Sequence, residues 1–311
     1  MKLKVAFSKA SWQLTVVLSF LLLIALFLSS DFGPADTLKM PDNLSAVPPE
    51  LPEKIEFARE EVPLAFFDVR ESLERELMVN VYWHSQTIWL LQKAYRFFPV
   101  IEPILKQNNI PDDFKYLAVA ESGLSNVVSP AGATGFWQIM EGTGKDYGLE
   151  INPEVDERYH LEKATEFACK YINESFSKYQ NWTLAAASYN VGRKGIDRQI
   201  ERQNENEFYN MLFNDETARY IFRILAFKII FENPGDYGFQ IPPNKRYKPI
   251  PYQYFETSEE ISSLAEFAKG HNTNYKFLKM LNPWLRDDKL LNKSHKTYLI
   301  KIPDENARLQ K

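Results

Sequence analysis

A mainly α-helical body followed by a small C-terminal α+β module is the fold class that this 311-residue chain predicts. Three observations lead there. Apolar residues recur at helical spacing between Val69 and Phe231, a proline-rich stretch interrupts that pattern, and the remaining segment pairs two short helical repeats with one alternating run. With 45% hydrophobic and 14% aromatic residues, the chain can bury one full-sized core and a smaller second one.

In chain order, Lys2, Lys4 and Lys9 precede an apolar run from Trp12 to Leu28 that ends at Ser29, Ser30 and Asp31. Residues 1–30 therefore read as an export segment, either a cleaved signal peptide or a membrane anchor over residues 12–28. Both options stand at this point, and both place the remainder in the periplasm or elsewhere in the cell envelope. Residues 31–68 are a proline-rich tether and lead-in.

Residues 69–232 form the predicted helical domain. A long amphipathic pattern runs through Leu77, Val81, Ile88, Leu91 and Tyr95 to a stop at Pro99 and Pro103, and further helices are expected over Asp112–Ser122, Leu161–Tyr179, Thr183–Asn190 and Glu216–Phe231. Residues 233–252, with Pro234, Pro242, Pro243, Pro249 and Pro251, are a linker. Residues 253–311 are the small module, with helical spacing at Ile261, Leu264 and Ala268 and again at Phe277, Leu278 and Leu281, then a strand over Thr297–Ile302.

Composition narrows the chemistry. Thirty-seven basic against 41 acidic residues leave a charge of -4, which gives no footprint for nucleic acid. Cys169 is the only cysteine, and His84, His160, His271 and His295 are far apart, so neither a metal nor any other cofactor is expected.

Attention falls instead on Glu121. Phe114, Leu117, Ala118 and Glu121 fall on one helical face, so a carboxylate sits on an apolar stripe near a helix C-terminus. Lost hydration and the negative end of the helix dipole both raise its pKa, which suits a proton donor near neutral pH. A glutamate that turns outward or pairs with an arginine is the competing structural reading.

The glycine-rich loop after it, Gly123 to Gly135, leads into Phe136, Trp137 and Gln138. Trp137 offers a flat surface for a sugar ring and Gln138 offers a donor and an acceptor, although a tryptophan is more often core than platform. Ser188, Tyr189 and Asn190 then close a helix of small residues before Gly192.

Three segments together carry a specific likeness: Glu121-Ser122, then Ser129-Pro130-Ala131-Gly132-Ala133-Thr134-Gly135-Phe136-Trp137-Gln138-Ile139-Met140, then Ser188-Tyr189-Asn190-Val191-Gly192. The chain resembles the soluble lytic transglycosylase (SLT) domain family over about residues 69–231, and in Val155-Asp156-Glu157-Arg158 and Trp182 its membrane-bound lytic murein transglycosylase D group. That resemblance implies a goose-lysozyme-like catalytic domain. It further implies a lyase that cuts the β-1,4 bond between N-acetylmuramic acid and N-acetylglucosamine in peptidoglycan, leaving 1,6-anhydro ends. Glu121 matches the family's catalytic acid, and Ser129, Gln138, Tyr189 and Asn190 match its saccharide-positioning groups. Glu216 and Tyr220 match a later Glu-Thr-Arg-x-Tyr pattern, with Ala218 at the arginine position and Arg219 one step on.

Glu141 opens an alternative, a muramidase in which it holds a hydrolytic water, although Glu141-Gly142-Thr143-Gly144 reads more simply as a solvated turn. A catalytically idle wall-binding scaffold is the other alternative. The C-terminal segment resembles a LysM-type module without its opening glycine, which implies glycan strands as a partner for the tail as well.

Overall fold

The computed structural model describes residues 47–309. The expected export segment and anchor lie outside them. Among the described residues no helix is long and apolar enough to cross a membrane.

The body is built from helices around one core. α1 (Phe67–Tyr82) and α2 (His84–Gln107) come first, then α3 (Lys115–Ser122), the short α4 (Glu141–Asp146), α5 (Leu161–Tyr179), α6 (Trp182–Val191), α7 (Arg193–Gln203) and α8 (Asp215–Glu232). The predicted stop at Pro99 and Pro103 does not occur: both prolines lie inside α2, four residues apart on an exposed face. Carbonyls that lose a helical partner there can be hydrated, which lowers the cost of an interior proline. The break falls at Trp83 instead, where the Thr87 hydroxyl donates to Asn80 O at 2.5 Å and occupies a carbonyl at the end of α1.

The lead-in is more than a tether. Glu56–Phe57 (β1) and Glu60–Glu61 (β2) form a hairpin whose turn residues Ala58 and Arg59 both have positive φ. Ile55, Phe57, Val62 and Leu64 join the body's core, and Phe57 packs against Phe114. Glu60 accepts from Thr183 N at 2.8 Å and Thr183 Oγ1 at 2.7 Å, capping α6 from 123 residues away.

Segment 233–252 runs along α2. Gln92 Nε2 donates to Lys245 O at 2.8 Å, Arg96 Nε to Lys248 O at 2.9 Å, and the Arg246 guanidinium lies over the Tyr95 ring. Beyond it, β3 (Tyr252–Thr257) and β4 (Tyr298–Pro303) pair antiparallel, Tyr252 opposite Pro303 and Thr257 opposite Tyr298. α9 (Leu264–Gly270) and α10 (Tyr275–Leu281) lie between them in sequence, opened by the caps Ser263 and Asn274. Leu264, Ala268, Leu278, Trp284, Leu285, Leu290 and Ile300 form a second small core, and Val155 of the body belongs to it.

Candidate active site

α3 is a largely buried helix of 8 residues with a carboxylate near its end. Phe114, Leu117 and Ala118 are fully buried, as their spacing predicts, and Glu121 comes where the same face meets the surface. The helix stops at Gly123, which takes φ +57° and donates its N–H to Val119 O at 2.9 Å. A Cβ there would stand 3.1 Å from Leu90 Cδ2, so both conformation and space favour glycine. Lys93 of α2 crosses this terminus, its Nζ 2.5 Å from Gly123 O and bonded to the Ser125 hydroxyl. A cation at the negative end of the helix steadies the turn that follows Glu121.

Tyr220, buried in α8, donates its hydroxyl to Glu121 Oε1. Burial pushes the Glu121 carboxyl up to about 7; the Tyr220 bond and the Arg223 charge oppose that rise, and the Glu216 charge adds to it. Burial also raises the Tyr189 and Tyr220 phenols well above their usual range, with the Glu121 charge next in effect on both. Near neutral pH this acid can therefore both hold and release its proton, while the two phenols keep theirs.

Asn190, at the end of α6, accepts from Thr217 Oγ1 at 2.9 Å and donates to Glu216 Oε1 at 3.4 Å, which sets the direction of its amide. Tyr189 donates to Trp137 O at 2.8 Å. Glu216 is exposed in the first turn of α8. Glu121, Tyr189, Asn190, Glu216 and Tyr220 thus meet through direct bonds or electrostatic contact, although almost one hundred residues separate the first from the last.

Ser129 and Gln138 sit in the loop after Gly123. That loop folds back on itself through bridges between Val128 and Thr134 and between Thr134 and Ile139. Ser129 Oγ accepts from Ala133 N at 3.0 Å. Gln138, with positive φ, gives its amide protons to Gly135 O at 2.8 Å and Val127 O at 3.1 Å, and these two bonds fix the direction of its side-chain carbonyl. Trp137 is a correction to the expected sugar platform: it is fully buried and donates Nε1 to Thr165 Oγ1 at 2.9 Å. A ring flanked by helices gains more from burial than from a wet surface.

Reading the sequence assigned no role to three groups, although Arg158 lies in one of the segments that carry the family likeness. Arg158 forms a buried pair with Asp156 and donates to Gly132 O at 3.4 Å and Ile139 O at 3.3 Å, tying the Ser129–Gln138 loop to segment 150–160. Gly135 packs so closely there that a Cβ would meet Arg158 O at 2.1 Å. Glu76, buried in α1, accepts from Arg219 at 2.6 Å and lies 3.8 Å from Arg223. A glutamate among Leu73 and Leu77 was the available signal, the same signal that marked Glu121. The third is Lys93.

Glu141 begins α4 and pairs with Lys145 on the same helix at 2.6 Å, and its side chain is 59% exposed. The Lys145 bond holds its carboxyl below the usual range. Among the described residues no cluster of histidine, cysteine and acids is arranged to hold a metal ion.

A mainly α-helical, lysozyme-like body with a desolvated acid at the start of a glycine-rich loop defines the class of protein. Residues 98–212 match the family model of the Transglycosylase SLT domain, and residues 253–306 match the Soluble lytic transglycosylase C-terminal LysM-like domain. The chain carries an SLT transglycosylase domain followed by that LysM-like domain. It is similar to the membrane-bound lytic murein transglycosylase D of Escherichia coli strain K12 and to that of Escherichia coli O6:H1, each 26% identical over 206 residues. The match covers 64% of this chain and 45% of each relative, so the chain spans less than half the length of the curated relatives it matches.

Proposed function

We propose that this chain is a peptidoglycan lytic transglycosylase, with Glu121 as its single acid and base. The observation that carries this reading is the Glu121 carboxyl, buried to a pKa of about 7 and held by Tyr220. Its protonated form gives the proton to the glycosidic oxygen as the C1–O bond breaks. The neighbouring 2-acetamido oxygen stabilises the anomeric carbon, and the Glu121 carboxylate then takes the proton of the C6 hydroxyl as O6 closes on C1. No water is consumed, and a 1,6-anhydro end results. Asn190, Tyr189 and the Gln138 carbonyl, each oriented by the bonds described above, are the groups for positioning the sugar and its acetamide, with Ser129 on the same loop.

The muramidase alternative is not favoured, because Glu141 is solvated and committed to Lys145. The idle-scaffold alternative is not favoured by an acid kept buried at the cost of its hydration. The family match supports a cell-envelope location. Periplasmic delivery and anchoring by residues 12–28 complete this proposal and are tested by fractionation of full-length protein.

Mass spectrometry of the fragments released from purified sacculi tests the activity. Muropeptides lighter by one water than reducing-end products are expected, and Glu121→Gln should lower their rate by about 10²–10⁴-fold. Reducing ends as the main product would overturn the assignment.

A further inference from the structure

Between the body and the C-terminal segment lies a cavity of about 360 Å³ that the mechanism above does not use. Phe97 of α2, Phe136 of the site loop and Leu281 of α10 give it apolar lining, and Lys93, Arg96 and Lys301 bring three cations to it. The lining has one carboxylate, Glu162, already engaged by Lys301. A chain with net charge -4 thus gathers a positive surplus at a part-apolar hollow. Burial brings the Lys93 ammonium down to about 8, which leaves it charged at neutral pH.

Trp284 supplies an independent sign. It also lines the cavity, is almost completely buried, and its Nε1–H has no hydrogen-bond partner. A buried donor left unpaired is a standing cost that an incoming oxygen acceptor would relieve.

The cavity also lies close to the acid. Lys93 touches Gly123 O, two residues after Glu121, and Ser125 and Asn126 of the same loop line the cavity. A four-residue peptide in extended form spans up to about 14 Å, enough to pass from a sugar held at Glu121 into this space.

We propose that the cavity receives the peptide stem carried by the muramic acid. Its terminal carboxylate lies toward Arg96 and Lys93, and its apolar side chains lie against Phe97 and Leu281. Charge-assisted bonds of this kind favour a carboxylate over its amide, while an apolar lining alone does not distinguish them. The inference rests on the peptidoglycan reading above, so its first test is independent of turnover.

Calorimetric titration of the whole chain with a stem tetrapeptide, as free acid and as C-terminal amide, reads the site directly. The acid should bind at least about tenfold more tightly than the amide, and Glu121→Gln should bind it equally well. Met280 lines the cavity and is 52% exposed, so Met280→Glu adds a repelling charge without emptying a buried position. It should weaken the acid about tenfold and leave the amide unchanged, and Arg96→Gln should weaken the acid likewise. Equal affinity for acid and amide, no saturable binding, or no effect of either variant would overturn the site.

A second measurement compares kcat/KM on glycan strands that carry stems with the same strands after amidase removal of the stems. The unmodified protein should prefer stem-bearing strands, and Met280→Glu should abolish that preference without slowing the bare strands. A preference untouched by Met280→Glu overturns the proposal. Peptide binding as expected with no strand cut would leave the pocket standing and remove the catalytic reading.

Discussion

The helical body and the C-terminal segment differ in how each closes its core. Every member of the larger cluster lies at or before Phe239, so the body buries its own apolar faces. The smaller cluster borrows Val155, and the backbone follows: Asp156 N donates to Trp284 O at 2.9 Å and Arg286 N to Glu154 O at 2.7 Å. Lys296 pairs with Glu150 at 2.6 Å, the Arg286 guanidinium lies over the Tyr159 ring, and Lys301 bonds Glu162. A tail that docks through its own core constrains what it touches. Here it touches segment 150–160, from which Arg158 reaches the Ser129–Gln138 loop.

The sharpest way to break this comparison is at Arg158. Its side chain and that of Asp156 are each about nine-tenths buried, so Arg158→Ala strands a buried carboxylate and two loop carbonyls and should cost about 3 kcal/mol. Thermal denaturation reads the loss. Arg158→Lys should recover part of it and little activity, because an ammonium cannot bridge Asp156 and two carbonyls as a planar fork does.

Removal of residues 239–311 tests the other side of the same joint. The body should remain folded, since its core loses only Phe239, but it should melt earlier and cleave soluble fragments several-fold more slowly. The sequence alone argues for unchanged cleavage by an independent tail; unchanged cleavage would mean that the docked segment does not act on the loop. Weaker pelleting with sacculi is expected in either case.

A smaller effect concerns pH. In the proposed mechanism Glu121 acts in its protonated form, so kcat/KM should fall as pH rises through about 7. Tyr220→Phe removes a bond that lowers this pKa, and the descending limb should move to higher pH; a limb that stays in place would assign it to another group. Linkage has the same sign. A carboxyl with a raised folded pKa is paid for when ionised, so Glu121→Gln should stabilise the protein at pH 8 and have little effect at pH 5.

Smallest of all should be Glu141→Ala. With its charge in solvent and paired only to Lys145, both the rate and the proportion of anhydro ends should change by less than a factor of two. Reducing ends that vanish in this variant would restore the muramidase reading.

Periodicity and composition determined much of the secondary structure. Leu161–Tyr179 forms a helix over those residues, and the helices expected at Thr183–Asn190 and Glu216–Phe231 are each extended by one residue at both ends. The placement of Glu121 on a buried face was equally legible, since it depends on the residues three, four and seven positions before it. Such features are local: they need only the neighbours along the chain. Tertiary structure decided that Trp137 is core, that the prolines of α2 leave the helix intact, and that Glu60 caps a helix 123 residues away. It also decided that Tyr220 and Arg223 moderate the acid, and that the tail reaches the site loop through Arg158. Desolvation and charge act through space, and the groups that set them come from segments that only folding brings together.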